Sequence, residues 1–538
     1  MHWLNAVLLC LVLTVTVGCE QKPKQATPPP TPAYSVLNKS ISELRSDLDA
    51  GKVTAVELVE AYAKRIEQMD DQGPTFRAVI SLNPDAKTIA AQLDAERKNS
   101  GIRSPLHGIP IMLKDNIDTA DKMPTTAGSL ALKNHFAQND STVAKKLREA
   151  GAIILGKANL SEWANFRSSL STSGWSAIEG FTRYPFDPLR NTCGSSSGSA
   201  VVVAMSFAAA AIGTETDGSI VCPSGMQSLV GVKPTVGLVS RAGIIPIAES
   251  QDTAGPMTRT VEDAILIMSV IAGSDGRDPA TKQADVFKAQ YRSSLRVDAL
   301  NNTRIGVLRF ALPSHPEVKA QFEKALTTLQ ENGAKLIDIE SVDGLDQIYH
   351  DEFQVLLSEF HDGINRYLAD TDPTQVSTRS LSDLIAFNEA TPAELQYFHQ
   401  DLFKQAVDAP AIDSKEYQQA RVQAQKKAGP EGIDKLLREH HLDALVAITN
   451  GPSWMTDTVN GDHYTGGAST LPAVAGYPHI TVPLGSVRDL PIGLSFIGTA
   501  WSESPLLAIA YAFEQKMPAR VLAPDPDMPL SPTDNTIQ

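Results

Sequence analysis

Apolar residues at Leu44, Leu48, Val56, Leu58, Val59, Ala63 and Ile66 recur at helical spacing with a break around Gly51, which predicts two helices. Ser40-Ile41-Ser42-Glu43 suits the start of the first, a hydroxyl followed three residues later by a carboxylate. The pattern then alternates. Residues 109–113 (IPIML) read as a strand, 141–151 (STVAKKLREAG) as a helix ending at glycine, and 152–156 (AIILG) as a buried strand. That rhythm predicts an α/β sandwich. From about 315 to 440 the chain is rich in Glu, Gln, Lys and Leu, with Phe322, Ala325, Leu326 and Leu329 on one helical face, which predicts a mostly helical lobe. Sheet-like runs return at 444–448, 479–485 and 492–498, before a closing helix around 506–513.

Composition narrows what this frame can do. At 538 residues, 42% apolar and 20% charged, the chain can bury a large core. A single domain with an appended lobe and a pair of domains both remain open. The net charge of −15 argues against nucleic acid as a partner, because phosphate contacts require clustered Lys and Arg. Residues 4–17 form an apolar run too short for the roughly 20 residues of a membrane span, and it ends in Thr16-Val17-Gly18-Cys19. This resembles a bacterial lipoprotein signal, although no Lys or Arg precedes the run and Thr16 stands where Leu is usual. The reading preferred over plain secretion or a buried N-terminal helix is a signal peptide over 1–18 with Cys19 lipidated. It implies export to the cell envelope or periplasm, with no membrane association beyond that anchor. A Pro-rich tether follows over 19–35, and the folded domain is expected over 36–530.

Residues 193–200, CGSSSGSA, carry the strongest local signal. Gly194-Ser195-Ser196-Ser197-Gly198 satisfies G-x-S-x-G, the nucleophile elbow of α/β-hydrolases, but residues 184–192 hold two prolines and no apolar run, so the strand that must feed an elbow is missing. Residues 151–158 match a phosphate-binding loop except that Ala158 replaces the hydroxyl, and their apolar interior suits a buried strand better. A flexible linker is disfavoured because the serine run leads straight into core-like residues 200–212. A helix from 199 to about 206 and a strand over 207–212 would have comparable lengths, bringing the serine run and the loop 213–219 to one end of a sheet. His440-His441 lacks the spacing and carboxylate of a zinc site and reads as a helix end; no metal site and no cofactor are expected.

CGSSSGSA, GTETDGSIVCPSG (213–225), GVKPT (231–235) and IPIMLKDNID (109–118) together resemble the amidase signature enzymes. The similarity runs from about Ile41 to Gln515. It implies a mixed twisted sheet between helical layers and amide hydrolysis by a Ser-Ser-Lys triad. By this resemblance Ser219 corresponds to the nucleophile and Ser195, after a non-proline cis peptide bond, to the relay serine. Lys114 corresponds to the base, which must be neutral to serve. Backbone N–H groups of Thr216, Asp217 and Gly218 would form the oxyanion hole, with Ser196 and Glu215 supporting. Asp217 stands where glycine is usual, and Val221-Cys222 where arginine is. These departures, with residues 161–167, 173–176 and 240–247, resemble the peptide amidase branch, whose substrates are C-terminal peptide amides. A fatty acid or other small-molecule amidase and a non-catalytic peptide-binding envelope lipoprotein are the alternatives; a transamidating subunit acting on tRNA is disfavoured by the export signal and acidic charge. Cys193 and Cys222 flank the two serines and are expected as buried free thiols, with a pair in an oxidising compartment as the alternative.

Overall fold

A computed structural model describes residues 34–288 and 291–525. The expected signal, Cys19, the tether up to Ala33 and the last expected domain residues, 526–530, lie outside the described residues. Ser40 caps the helix Ile41–Asp49 and Thr54 the helix Ala55–Ile66, each through a reciprocal bond with the glutamate three residues on. Gly51 sits between them at φ 65°, in the left-handed region that suits glycine.

The strands are β1 (Val79–Leu82), β2 (Pro110–Lys114), β3 (Ile153–Ala158), the short pair β4 (Trp175–Ser176) and β5 (Gly180–Phe181), β6 (Ala210–Glu215), β7 (Val230–Lys233), β8 (Thr253–Thr258), β9 (Arg304–Leu308), β10 (Lys335–Ile339), β11 (Ala444–Ile448), β12 (His479–Val487) and β13 (Leu490–Ile497). All but β4 and β5 join one eleven-stranded sheet, ordered β1-β3-β2-β6-β8-β7-β12-β13-β11-β9-β10. It is mixed: β2 runs parallel to β3 and β6, and β9 parallel to β10 and β11, while the other pairs are antiparallel. Helices cover both faces, so β2, β3 and β6 are buried along their whole length. Because β2 and β6 are parallel neighbours, with Leu113 opposite Ile212, their C-terminal residues reach the same edge.

The serine run does enter the core. Helix Ser197–Ala204 is buried on every side and β6 returns beside it. The helix starts earlier and the strand later than the sequence suggested, because residues 205–209 are spent on the turn. The buried Arg259 guanidinium donates there to the carbonyls of Val203 (2.7 Å), Ala208 (3.0 Å) and Ala209 (2.8 Å), satisfying groups a helix end leaves open. Gly198 lies directly against the backbone of Ala78 and Asn159, where a β-carbon has no room.

The lobe expected over 315–440 contains the helices Pro316–Glu331, Leu345–Asp370, Leu381–Ala390, Asp401–Val407, Lys415–Ala428 and Asp434–Glu439, but also β10, the edge strand of the main sheet. An edge strand is half exposed, so KLIDI mixes charge with apolar residues and loses the apolar run that marks a buried strand. The lobe's Phe360, Leu368, Leu381 and Phe403 pack with Trp163 and Ile245 in a core cluster of their own. His440 caps the C-terminus of helix Asp434–Glu439, as its position suggested.

Candidate active site

Lys114 ends β2 and is fully buried. Its Nζ lies 2.7 Å from Ser195 Oγ, 2.9 Å from Thr214 Oγ1 and 3.2 Å from the Thr214 carbonyl oxygen. A neutral amine has two N–H donors and one lone pair. With the two donors on Thr214, the lone pair is left for the Ser195 hydroxyl. Burial pushes the Lys114 amine down to about 7, against the opposing charges of Asp252 and Glu215. Asn116, two residues on, donates to the same Thr214 hydroxyl at 3.0 Å.

Ser195 is buried and follows a cis peptide bond from Gly194, as the resemblance implied. The Ser195 carbonyl accepts from the Ser161 N–H at 3.0 Å. Ser196 ties this segment to the next: its hydroxyl donates to the Thr214 carbonyl at 3.1 Å and accepts from the Thr214 N–H at 3.3 Å. Its own N–H donates to the carbonyl of Ser219 at 3.2 Å. The segments bearing the two serines are thereby joined edge to edge.

Ser219 stands just before the short helix Val221–Met226, at the end of the loop from Thr216 to Gly218. Gly218 has φ 79°. Among the described residues, the N–H groups of Asp217 and Gly218 have no acceptor, which leaves them free to receive developing negative charge. Three side chains hold the loop. Glu215 accepts from the N–H groups of Ile220 (2.6 Å) and Val221 (2.9 Å), tying the turn after Ser219 to the end of β6. The Thr216 hydroxyl donates to Asp252 at 2.5 Å, and Asp217 accepts from the Thr470 hydroxyl at 2.7 Å. Burial raises the carboxyls of Glu215 and Asp217, with the Lys233 ammonium opposing it at both.

The expected free thiols are corrected. Cys193 and Cys222 form a disulfide between the two serine-bearing segments. Burial of cysteine alone does not distinguish thiol from disulfide; what decides it is proximity across 29 residues of chain, which no local pattern encodes.

Residues that the sequence did not single out also shape the site. Gln251 donates to Glu352 at 2.8 Å and more weakly to the Thr216 carbonyl at 3.4 Å, linking the lobe helix Leu345–Asp370 to the loop. Glu352 is buried, and burial together with the Asp217 charge raises its carboxyl well above the usual range. A cavity of about 1350 Å³ borders the site at Asn116, Thr214, Thr216 and Asp252; Ser195 and Ser219 are not among its lining residues.

Residues 57–507 match the family model for Amidase. A probable amidase from Arabidopsis thaliana is 37% identical over 520 residues, covering 95% of each chain. The solved peptide amidase from Stenotrophomonas maltophilia is 47% identical with a TM-score of 0.86, over 90% of this chain and 98% of that one. An amidase family protein from Bacillus anthracis is 39% identical with a TM-score of 0.83, over 91% and 93%. Fold and site thus define an α/β enzyme that hydrolyses amides. The chain belongs to the amidase signature family, with the peptide amidase among its structural relatives.

Proposed function

We propose that Ser219, Ser195 and Lys114 form a Ser-Ser-Lys triad that releases ammonia from primary carboxamides, with C-terminal peptide amides as the substrate class. The observation that carries this reading is the 2.7 Å approach of Lys114 Nζ to Ser195 Oγ in a buried site whose serine segment is bonded to that of Ser219. The Lys114 lone pair takes the Ser195 proton while Ser195 takes that of Ser219. Ser219 Oγ bonds to the amide carbon, and the oxyanion rests on the N–H groups of Thr216, Asp217 and Gly218. As the carbon–nitrogen bond breaks, the proton returns from Lys114 through Ser195 to the leaving nitrogen, and ammonia departs. Water, deprotonated along the same path, frees the acid and restores the Ser219 hydroxyl.

Similarity to a peptide amidase supports the choice of substrate. The test is ammonia release from peptide amides, free asparagine and glutamine, and fatty acyl amides. Peptide amides should lead; preference for fatty acyl amides would favour the small-molecule amidase, and inactivity on all would favour the binding lipoprotein. Ser219→Ala should leave only a trace, and a fluorophosphonate should label Ser219.

The same proposal places the protein in the bacterial envelope, anchored at Cys19. A disulfide in the fold supports an oxidising compartment. Replacement of Cys19 by alanine should move the protein from the membrane fraction to the soluble one.

A further inference from the structure

Cys193 precedes Ser195 by two residues and Cys222 follows Ser219 by three. The path Cys193-Gly194-Ser195-Ser196 runs through the Ser196 N–H to Ser219 carbonyl bond into Ser219-Ile220-Val221-Cys222, and the disulfide closes it. Both serines therefore sit inside one small ring. One side of that ring is a single hydrogen bond and the other is covalent. The segments are also held outside the ring. The Cys193 N–H donates to Asn191 at 2.7 Å, its carbonyl accepts from the Ser197 hydroxyl at 2.8 Å, and the Cys222 N–H donates to the Gly218 carbonyl at 2.8 Å. Each segment thus keeps its own shape without the bridge, and the bridge adds a covalent tie to the hydrogen bonds that already join them through Ser196, Thr214 and Glu215. Both half-cystines are buried, packed with Tyr184, Met226 and Trp454.

We propose that the Cys193–Cys222 disulfide is a positioning element for the reaction, fixing the segment that carries Ser219 against the one that carries Ser195, so that turnover requires the oxidised bridge. This rests on the triad reading above. Lys114 contacts Ser195 from β2, outside the ring, so opening the bridge changes the Ser195-to-Ser219 step and leaves the Lys114-to-Ser195 contact in place. The rate of the chemical step falls while substrate binding and the protonation of Lys114 are retained.

The test uses the full chain and dithiothreitol. In the exchange the reductant gives up two electrons and two protons, the bridge becomes two thiols, and dithiothreitol closes to its cyclic disulfide. Alkylation and peptide mass measurement establish reduction at Cys193 and Cys222 themselves. The expected result is a kcat at least ~10-fold lower with KM within about twofold, since small misplacements of reacting groups are costly. The far-ultraviolet circular dichroism and the acid limb of the pH profile should be unchanged, and reoxidation should restore kcat. A Cys193→Ser/Cys222→Ser double variant should show the same low kcat and no response to dithiothreitol.

Wild-type kcat in the reduced enzyme or the double variant overturns the proposal. So does a change confined to KM, or a loss of activity that tracks loss of the circular dichroism signal in both forms, which would make the bridge a fold staple. Ser219→Ala measured alongside separates the failures: activity surviving there sinks the triad, whereas activity surviving only in the reduced wild type sinks the positioning role.

Discussion

Lys114 and Lys157 occupy neighbouring strands, are both fully buried, and do different work. In the register between β2 and β3, Lys157 pairs with Leu113, so Lys157 shares Leu113's face of the sheet and Lys114 points to the other. Lys157 donates to the Ile117 carbonyl at 2.7 Å and the Thr125 hydroxyl at 2.8 Å, with Asp115 at 4.0 Å. Burial raises Asp115 and Asp118 to about 6, with Lys157 opposing it, and Asp118 accepts from Tyr367 of the lobe helix at 2.9 Å. That group binds lobe to sheet. Lys114 has only hydroxyls and a carbonyl in reach, and among the described residues no carboxylate forms an ion pair with it. Burial lowers both amines; at Lys157 the charges of Asp115, Asp118 and Asp121 oppose it, and at Lys114 those of Asp252 and Glu215, while the hydrogen-bond partners of Lys114 are hydroxyls and a carbonyl that leave its lone pair to Ser195. The lesson is that the partner, rather than burial, separates a structural lysine from a base.

Replacing each lysine by methionine gives the sharpest test. Lys114→Met should cut turnover ~10³-fold or more, on the scale of a lost general base, while leaving thermal stability equal or higher because an apolar group replaces a buried amine. Lys157→Met should do the reverse, costing ~3 kcal/mol in denaturant unfolding by leaving buried carboxyls without their cation, with kcat per folded molecule retained. Interchanged outcomes would break the comparison.

The pH profile sharpens it. Lys114 acts as a base only when neutral and titrates at about 7, so kcat should fall as pH drops through that value. The unfolded chain binds this proton up to ~10.4, so the contribution of Lys114 to stability should improve as pH rises from 7 toward 10. Urea unfolding midpoints of wild type and Lys114→Met, compared at pH 7 and 9.5, measure this: wild type should gain on the variant at the higher pH, and a loss relative to the variant would reverse the assigned sign.

Smaller effects follow. Tyr367→Phe removes the hydroxyl that joins Asp118 to His135, and should cost ~1–2 kcal/mol in calorimetric or denaturant stability without moving the acid limb. Thr214→Val takes away a hydroxyl acceptor that favours the protonated amine, so the acid limb should shift to lower pH by a fraction of a unit. A shift upward would mean that Thr214 stabilises the neutral form instead.

Much of the site could be read locally. CGSSSGSA and GTETDGS stand out because serine and glycine there lead into apolar core, and Gly198 shows why: the backbone of Asn159 occupies the space a side chain would need. Ser196 and Glu215, named as supporting residues, bond to the Thr214 carbonyl and to the N–H of Ile220 respectively. Thr214 lies inside the second motif but was given no role, since a threonine at a strand end carries no pattern of its own. Glu352 and Thr470 were out of reach: Thr470 meets Asp217, and Glu352 meets Gln251 behind the loop, each from more than a hundred residues away in the chain.

The order of residues by itself determined the α/β rhythm, the capped helices and the family, because those depend on spacings of a few residues that local geometry translates directly. Only the folded chain decided the partners of Lys157, the joining of Cys193 to Cys222 and the place of β10 at the sheet's edge. These are contacts between distant segments, and what selects them is the burial and pairing of polar groups across the whole core.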